Sequence, residues 1–299
     1  MGLLDGRVII VTGGGRGLGR AHCHELARHG ATVVVNDLGV GLRGEVEESE
    51  MAPAEQVVAE LEAMGATAVA DGTSVTDWDG MEDLVSRVVD RFGALHGVVN
   101  NAGFLRDRIL TSMTEDDFDS VIAVHLKGTF ALTRHACSYW KAEVKAGRSV
   151  SGRVVCTTSG AGLFGNVGQA NYGSAKSAIA TFTQIVALEM QRYGVTANAL
   201  SPIAATRMLA TVGREAKDDG TWDPLDPANA SPLVAWLCSA EAGWLSGAVL
   251  RVDGNAVQRV SGWAVTDGYT AKSGESLTVE ELGLGLQRLY GVMPRGLGG

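Results

Sequence analysis

The sequence has no run of lysine and arginine, no C-x-x-C spacing and no apolar stretch long enough to cross a bilayer. Each absence excludes something. A chain of net charge −9 without a basic patch is repelled by a phosphate backbone, so nucleic acid is excluded as a partner. The four cysteines, Cys23, Cys137, Cys156 and Cys238, are scattered, which argues against a disulfide framework or a zinc knuckle. No membrane span is expected. The opening "MGLLDGRVIIVTGGG" breaks into glycines before the apolar core of a signal peptide can form, and "RGLGG" at the other end carries no S-K-L-type address. A reducing cytoplasm is therefore the expected location. His22 and His24 in "HCH" sit two apart on an expected helix, where they face different ways, so no metal site is expected there.

What is present is a repeated alternation of short β-branched runs with amphipathic helices. "RVIIVT" (7–12), "TVVVND" (32–37), "TAVADGTSV", "HGVVNNAG", "GRVVCTTS", "TANALSP" and "GAVLRVDG" read as strands, with a helix between each pair. Apolar strands of this kind are buried on both faces, which predicts a single-domain α/β fold, a doubly wound parallel sheet of Rossmann type. Residues 1–255 are expected to form one dinucleotide-binding catalytic domain. Residues 256–299 read as a C-terminal extension packed on the core or on a neighbouring subunit, with a capping box of Thr278 and Glu281 opening a short helix. Residues 39–53 read as an acidic surface loop.

"TGGGRGLG" (12–19) joins the first strand to the first helix. Gly13, Gly17 and Gly19 let the backbone turn tightly and approach a pyrophosphate, and the helix N-terminus offers it unpaired N–H groups. Asp37 closes the second strand, where a carboxylate accepts hydrogen bonds from ribose hydroxyls. A 2′-phosphate would meet that charge, so NAD is expected over NADP. Arg16 points the other way but carries less weight.

"YGSAK" places Tyr172 and Lys176 at i and i+4 on one helical face, and "TTSGAG" puts Ser159 at a strand end. With "TGGGRGLG" and "NNAG" (100–103), these residues resemble the short-chain dehydrogenase/reductase family over roughly residues 5–255. The resemblance implies that Tyr172 is the general acid/base, Ser159 holds the substrate oxygen and Lys176 binds the nicotinamide ribose. It also implies cofactor contacts at Leu18, Ser74, Val75, Asn101, Ala102, Gly103, Pro202, Ile203 and Thr206, with Ile203 standing where the family usually has glycine. A phenol is a poor base at neutral pH, and a neighbouring ammonium together with the positive charge of the oxidised nicotinamide is expected to lower its pKa.

His125 stands where the family carries a catalytic-site asparagine. It lies on the apolar face of the helix "DSVIAVHLKGTFAL". "VVNDLG" (34–39), "LRDR" (105–108), "VHLKGTF" (124–130) and "GNVGQANY" (165–172) narrow the resemblance to a subgroup. That subgroup comprises the (3R)-hydroxyacyl-CoA dehydrogenase unit of peroxisomal multifunctional enzymes of type 2 and its stand-alone bacterial relatives. In it His125 is expected to support the site by one hydrogen bond rather than to carry protons. The implied activity is NAD-dependent oxidation of a secondary alcohol, (3R)-3-hydroxyacyl-CoA, in fatty-acyl or sterol side-chain β-oxidation. Hydroxysteroid dehydrogenase and 3-oxoacyl-carrier-protein reductase are the enzymatic alternatives, and a non-catalytic dinucleotide-binding redox sensor is the alternative of another class. Arg106, Arg108, Arg207 and Arg214 are candidates for CoA phosphates. The loop 203–231, with Met208, Leu209 and Trp222, is expected to cover the acyl group. The resemblance also implies a homotetramer with helices around 115–146 and 172–193 at the dimer interface.

Overall fold

The β-branched runs form the strands that their composition demands, and they stack as a single sheet. The computed structural model describes residues 2–41, 51–204, 221–262, 264–265, 268–270 and 278–290. Strands β1 (Val8–Thr12), β2 (Thr32–Asn36), β3 (Ala68–Asp71), β4 (Gly97–Asn100), β5 (Gly152–Thr157), β6 (Val195–Ile203), β7 (Val249–Asp253) and β8 (Ala256–Val260) lie in the order β3-β2-β1-β4-β5-β6-β7-β8. The first seven run parallel. The eighth turns back antiparallel on β7, pairing Val252 with Val257, so the sheet is mixed. The sequence predicts no strand beyond β7. β8 escapes such a reading because four of its five residues are exposed and it has no buried face to leave an alternation.

Helices α1 (Gly17–Arg28), α2 (Pro53–Ala63), α3 (Trp78–Phe92), α4 (Glu115–Ile122), α5 (Gly128–Lys145), α6 (Gly160–Phe164), α7 (Ala170–Met190) and α8 (Ser231–Leu237) connect the strands. Among the described residues the two larger apolar cores lie one on each sheet face. Ile9 and Val11 of β1 pack with Leu26 of α1, Leu61 of α2 and Val234 of α8. Val8 and Ile10 of the same strand face the other way, toward Leu84 of α3, Trp140 of α5 and Ile179 of α7. This strict two-fold alternation in a strand buried on both faces is the reason its sequence reads as one continuous apolar run.

The strand order reverses between β1 and β4. In open α/β sheets the crevice beyond the carboxyl ends at such a switch point is where ligands bind. β3 ends earlier than expected, at Asp71. Its carboxylate accepts from the Thr73 N–H (2.9 Å) and the Asn36 amide (2.8 Å), turning the chain out of the sheet.

Residues from 261 onward form a separate unit. Its helix α9 (Val279–Tyr290) opens with one half of the expected capping box, the Glu281 N–H donating to Thr278 Oγ1 at 3.2 Å, while Glu281 Oε2 is buried without a partner. Residues 42–50 of the acidic loop lie outside the described residues. No helix among the described residues is long and apolar enough to cross a membrane.

Candidate active site

The glycine loop folds against the end of β4 with no room for side chains. A Cβ at Gly19 would lie 1.9 Å from the Gly13 carbonyl oxygen, and one at Gly13 would lie 2.8 Å from Ala102 Cα. Gly13 and Gly17 also take positive φ, 62° and 51°, which favours glycine. Thr12 Oγ1 accepts from the N–H groups of Asn101 (3.0 Å) and Ala102 (3.1 Å), and the Asn101 amide donates back to the Thr12 and Gly13 carbonyls at 3.2 Å. The N-cap of α1, Arg16, gives no side-chain cap. The first N–H groups of α1 therefore face the crevice without an intrahelical partner.

A cavity of about 310 Å³ opens at this point. It brings together Gly13, Arg16, Gly17, Leu18, Asp37, Ser74, Val75, Asn101, Ala102 and Gly103, with Leu38, Val40, Thr73, Phe104 and Val124 completing its wall. The Asp37 carboxylate is already engaged by the loop. Its Oδ2 accepts from the Gly15 N–H at 2.9 Å and its Oδ1 from the Gly39 N–H at 2.8 Å. Asp37 thus shapes the loop as well as charging the cavity. Arg16 reaches the Val40 carbonyl at 3.4 Å. The tight cradle, the uncapped helix end and the cavity fit a nicotinamide dinucleotide.

On the other side of the switch point, α6 and α7 meet through glycines. A Cβ at Gly162 would come 2.6 Å from the Lys176 carbonyl carbon, and one at Gly173 would come 3.1 Å from the Ala161 oxygen. Ser159, the N-cap of α6, is thereby held beside α7, and its Oγ accepts from the Ala161 N–H at 3.3 Å. Lys176 is buried, its Nζ donating to the Thr157 carbonyl at 2.6 Å and standing 5.7 Å from the Tyr172 ring centre. Thr158 Oγ1 donates to the Lys176 carbonyl, also at 2.6 Å. So the last residue of β5 and the one after it hold both the backbone and the side chain of Lys176.

Burial pushes the Lys176 ammonium down to about 8. Burial likewise pushes the Tyr172 phenol above its ordinary value, with the Ser159 hydrogen bond opposing that shift and the Asp107 charge adding to it. The protein's own groups therefore do not give the lowering expected of the neighbouring ammonium. Desolvation is the larger effect, and Ser159 is the group that offsets it.

His125 occupies a π-helical segment, Ala123–Lys127, between α4 and α5. Such π turns insert one extra residue and recur at functional sites. The imidazole is 1% exposed, and its Nε2 lies 2.8 Å from the Phe104 carbonyl oxygen and 3.1 Å from the Phe104 N–H. A neutral imidazole nitrogen either donates or accepts, so only one of these contacts is a hydrogen bond at a time. Nδ1 is buried without a partner. The ring meets Tyr172 edge to face at 5.2 Å and covers Gly103, where a Cβ would lie 2.1 Å from Cε1. Burial, with a contribution from the Lys176 charge, pushes its pKa down to about 3. This geometry is that of a neutral clamp on the loop leaving β4.

Other expected residues fall out as follows. Pro202 and Ile203 continue β6, paired with Val252 and Asp253, so the backbone stays extended where the family's glycine would stand. Thr206, Arg207, Met208, Leu209 and Arg214 lie outside the described residues. Trp222 is 60% exposed. Arg106 and Arg108 do not stand ready for phosphates. Arg106 pairs with Asp116, and Arg108 Nε lies 2.7 Å from Asp117 Oδ2. His22 and His24 turn to separate partners, Ser231 at 2.9 Å and Glu60 at 2.7 Å.

Residue-type reasoning missed Gly162, Thr158 and Asn171. Asn171 is fully buried, its amide donating to the carbonyls of Arg106 (3.0 Å) and Asp117 (2.8 Å). Its place directly before Tyr172 in "GNVGQANY" was the available signal.

A dinucleotide cradle joined through His125 to a serine, a tyrosine and a buried lysine defines an oxidoreductase of the short-chain dehydrogenase type. The chain belongs to that family, whose model, described as short chain dehydrogenase, matches residues 7–217. It is 44% identical over 266 residues to hydroxyacyl-CoA dehydrogenase ChsB1 of Mycobacterium tuberculosis, covering 86% of this chain and 80% of that one. It is 41% identical over 234 residues to peroxisomal multifunctional enzyme type 2 of Mus musculus, covering 78% of this chain and 30% of the longer protein. Among solved structures, a short chain dehydrogenase from Mycobacterium avium superposes with a TM-score of 0.86 at 49% identity, covering 97% of this chain and 96% of that one.

Proposed function

We propose that this protein oxidises (3R)-3-hydroxyacyl-CoA to the 3-ketoacyl-CoA with NAD as acceptor, in fatty-acyl or sterol side-chain β-oxidation. The observation that carries the chemistry is the meeting of Ser159, Tyr172 and Lys176 through the glycine contact of α6 and α7. The substrate class rests on similarity to hydroxyacyl-CoA dehydrogenase ChsB1. It rests also on the resemblance of "LRDR" and "GNVGQANY" to the (3R)-hydroxyacyl-CoA dehydrogenase subgroup, two segments that lie side by side here, the Arg108 N–H donating to the Gly168 carbonyl at 2.8 Å.

When bound, the nicotinamide ring supplies the hydride acceptor. Ser159 Oγ donates to the substrate oxygen and fixes it beside the phenol. Tyr172 Oη takes the hydroxyl proton as the carbon is oxidised. The Lys176 ammonium orients the nicotinamide ribose, and its buried pKa of about 8 keeps it able to exchange protons near neutrality. The Gly13, Gly17 and Gly19 backbone and the α1 N-terminus hold the pyrophosphate. The Asp37 carboxylate takes the adenosine ribose and disfavours a 2′-phosphate, which weighs against a carrier-protein reductase working with NADPH.

We further propose a homotetramer built on the exposed apolar side chains of α4, α5 and α7, Phe118, Phe130, Ile185 and Leu188. The four unpaired cysteines support a reducing, cytoplasmic setting. The decisive experiment follows NAD reduction over (3R)- and (3S)-3-hydroxyacyl-CoA of increasing chain length and over hydroxysteroids. Turnover of the (3R) thioesters supports the reading. Turnover confined to steroids, or none at all, overturns it.

A further inference from the structure

Tyr172 sits in the first turn of α7, the part of a helix that frays most readily because its N–H groups have no intrahelical partner. The N-cap residue, Gln169, gives no side-chain cap. It is occupied elsewhere, donating to Asp107 Oδ2 at 2.8 Å and accepting from the Asn166 amide at 3.0 Å. The turn that carries the proposed acid/base group therefore lacks the usual device that stiffens a helix start.

Asn171 supplies one from inside the helix. Its Oδ1 accepts from the Tyr172 N–H at 2.7 Å, while both hydrogens of its amide are spent on Arg106 O and Asp117 O. The first of these carbonyls belongs to the loop that leaves β4 past Gly103, and the second to α4. That same loop is held two residues earlier by His125 at Phe104. Arg106 and Arg108 turn toward the acids of α4, and Asp107 between them turns to Gln169, as alternation along an extended segment requires. The loop from the cofactor strand is thus pinned at two points to the helices that bear the site, by His125 and by Asn171.

We propose that Asn171 is a positioning residue: one buried side chain ties the turn of Tyr172 to the loop beside the cofactor strand and sets where the phenol stands relative to the hydride acceptor. The proposal rests on the reading of Tyr172 as the proton-transferring group.

The test uses the full-length enzyme with (3R)-3-hydroxydecanoyl-CoA and NAD. For Asn171→Ala and Asn171→Ser, kcat is expected to fall at least tenfold in folded protein, with KM and the NADH dissociation constant within about threefold of wild type. The alkaline-going midpoint of kcat is expected to move to lower pH as the loosened turn rehydrates the phenol. Serine, which keeps a short acceptor near the Tyr172 N–H, is expected to recover part of the loss. Folded variants with kcat within twofold and an unchanged pH profile overturn the proposal. Hydrogen exchange on the wild type provides a second arm that does not depend on variant folding or on turnover. The Tyr172 amide is expected to be protected at least tenfold more than that of Asn171. Equal exchange of the two overturns the proposal. Protection with no turnover of any 3-hydroxyacyl-CoA places the failure in the substrate reading instead.

Discussion

Replacing His125 by leucine or asparagine separates three roles that a buried imidazole can have. Leucine leaves both the Phe104 N–H and its carbonyl, now 3.1 and 2.8 Å from Nε2, without a partner in a buried place. An orphaned group of this kind costs about 1–3 kcal/mol. If the clamp orders the site, a comparable loss of transition-state stabilisation lowers kcat about tenfold or more. Asparagine carries both a donor and an acceptor and satisfies the two backbone groups together, so its kcat is expected to stay within about threefold of wild type. The acid limb of stability gives an independent measurement. In the folded protein His125 is pushed from its ordinary 6.5 down to about 3. Between these values the unfolded chain binds a proton that the native state refuses, so stability falls as the pH drops. From pH 6.5 to pH 5 this amounts to about 2 kcal/mol, at about 1.4 kcal/mol per pKa unit. His22, buried and pushed down to about 4, acts with the same sign, so only the difference between wild type and His125→Asn isolates the residue. Denaturant unfolding at both pH values, with kcat measured against pH, supplies the numbers. Parallel acid slopes for wild type and His125→Asn would refute the buried neutral imidazole. Full activity in folded His125→Leu would remove this residue from the site altogether. A slow asparagine variant with a changed pH–rate profile would instead make the imidazole a proton carrier.

Three further outcomes follow from the packing. Asp37→Asn is expected to narrow the NAD-over-NADP ratio of kcat/KM at least tenfold while weakening both cofactors, because its carboxylate also holds the Gly15 N–H; a wild type that prefers NADP refutes the weight given to Asp37. Gly162→Ala drives a methyl to 2.6 Å from the Lys176 backbone, so kcat should fall at least tenfold with the NADH dissociation constant little changed, and a variant of wild-type kcat would show that the α6–α7 contact is not tight. Sedimentation at micromolar concentration should give a tetramer that Leu188→Asp, on a 78% exposed side chain, breaks down; a wild-type monomer ends that proposal.

The seven parallel strands and the candidate site residues were legible because their signals are local. Val33, Val34 and Val35 announce a strand by composition, and Tyr172 and Lys176 announce a face by spacing. The glycine loop was legible because only glycine serves where Gly19 meets the Gly13 carbonyl. What was not legible depends on meetings between distant segments. The pairing of Arg108 with Asp117 and the bonds from Asn171 to Arg106 and Asp117 exist only once α4 has docked on α7. The π segment at His125 was hidden because an extra residue in a helix barely alters its apolar pattern. The burial that raises the Tyr172 pKa was not legible, because charge is visible in a sequence and desolvation is not.

The contact between His125 and Gly103 constrains the paths by which such a site can change. A Cβ at position 103 would fall 2.1 Å from the imidazole, too close for either group to yield within a packed interior. A histidine at 125 is therefore admissible only on a background that already has glycine at 103. The two positions are epistatic: a side chain at 103 is tolerable only once position 125 holds something smaller, and that steric overlap sets the order of the two steps.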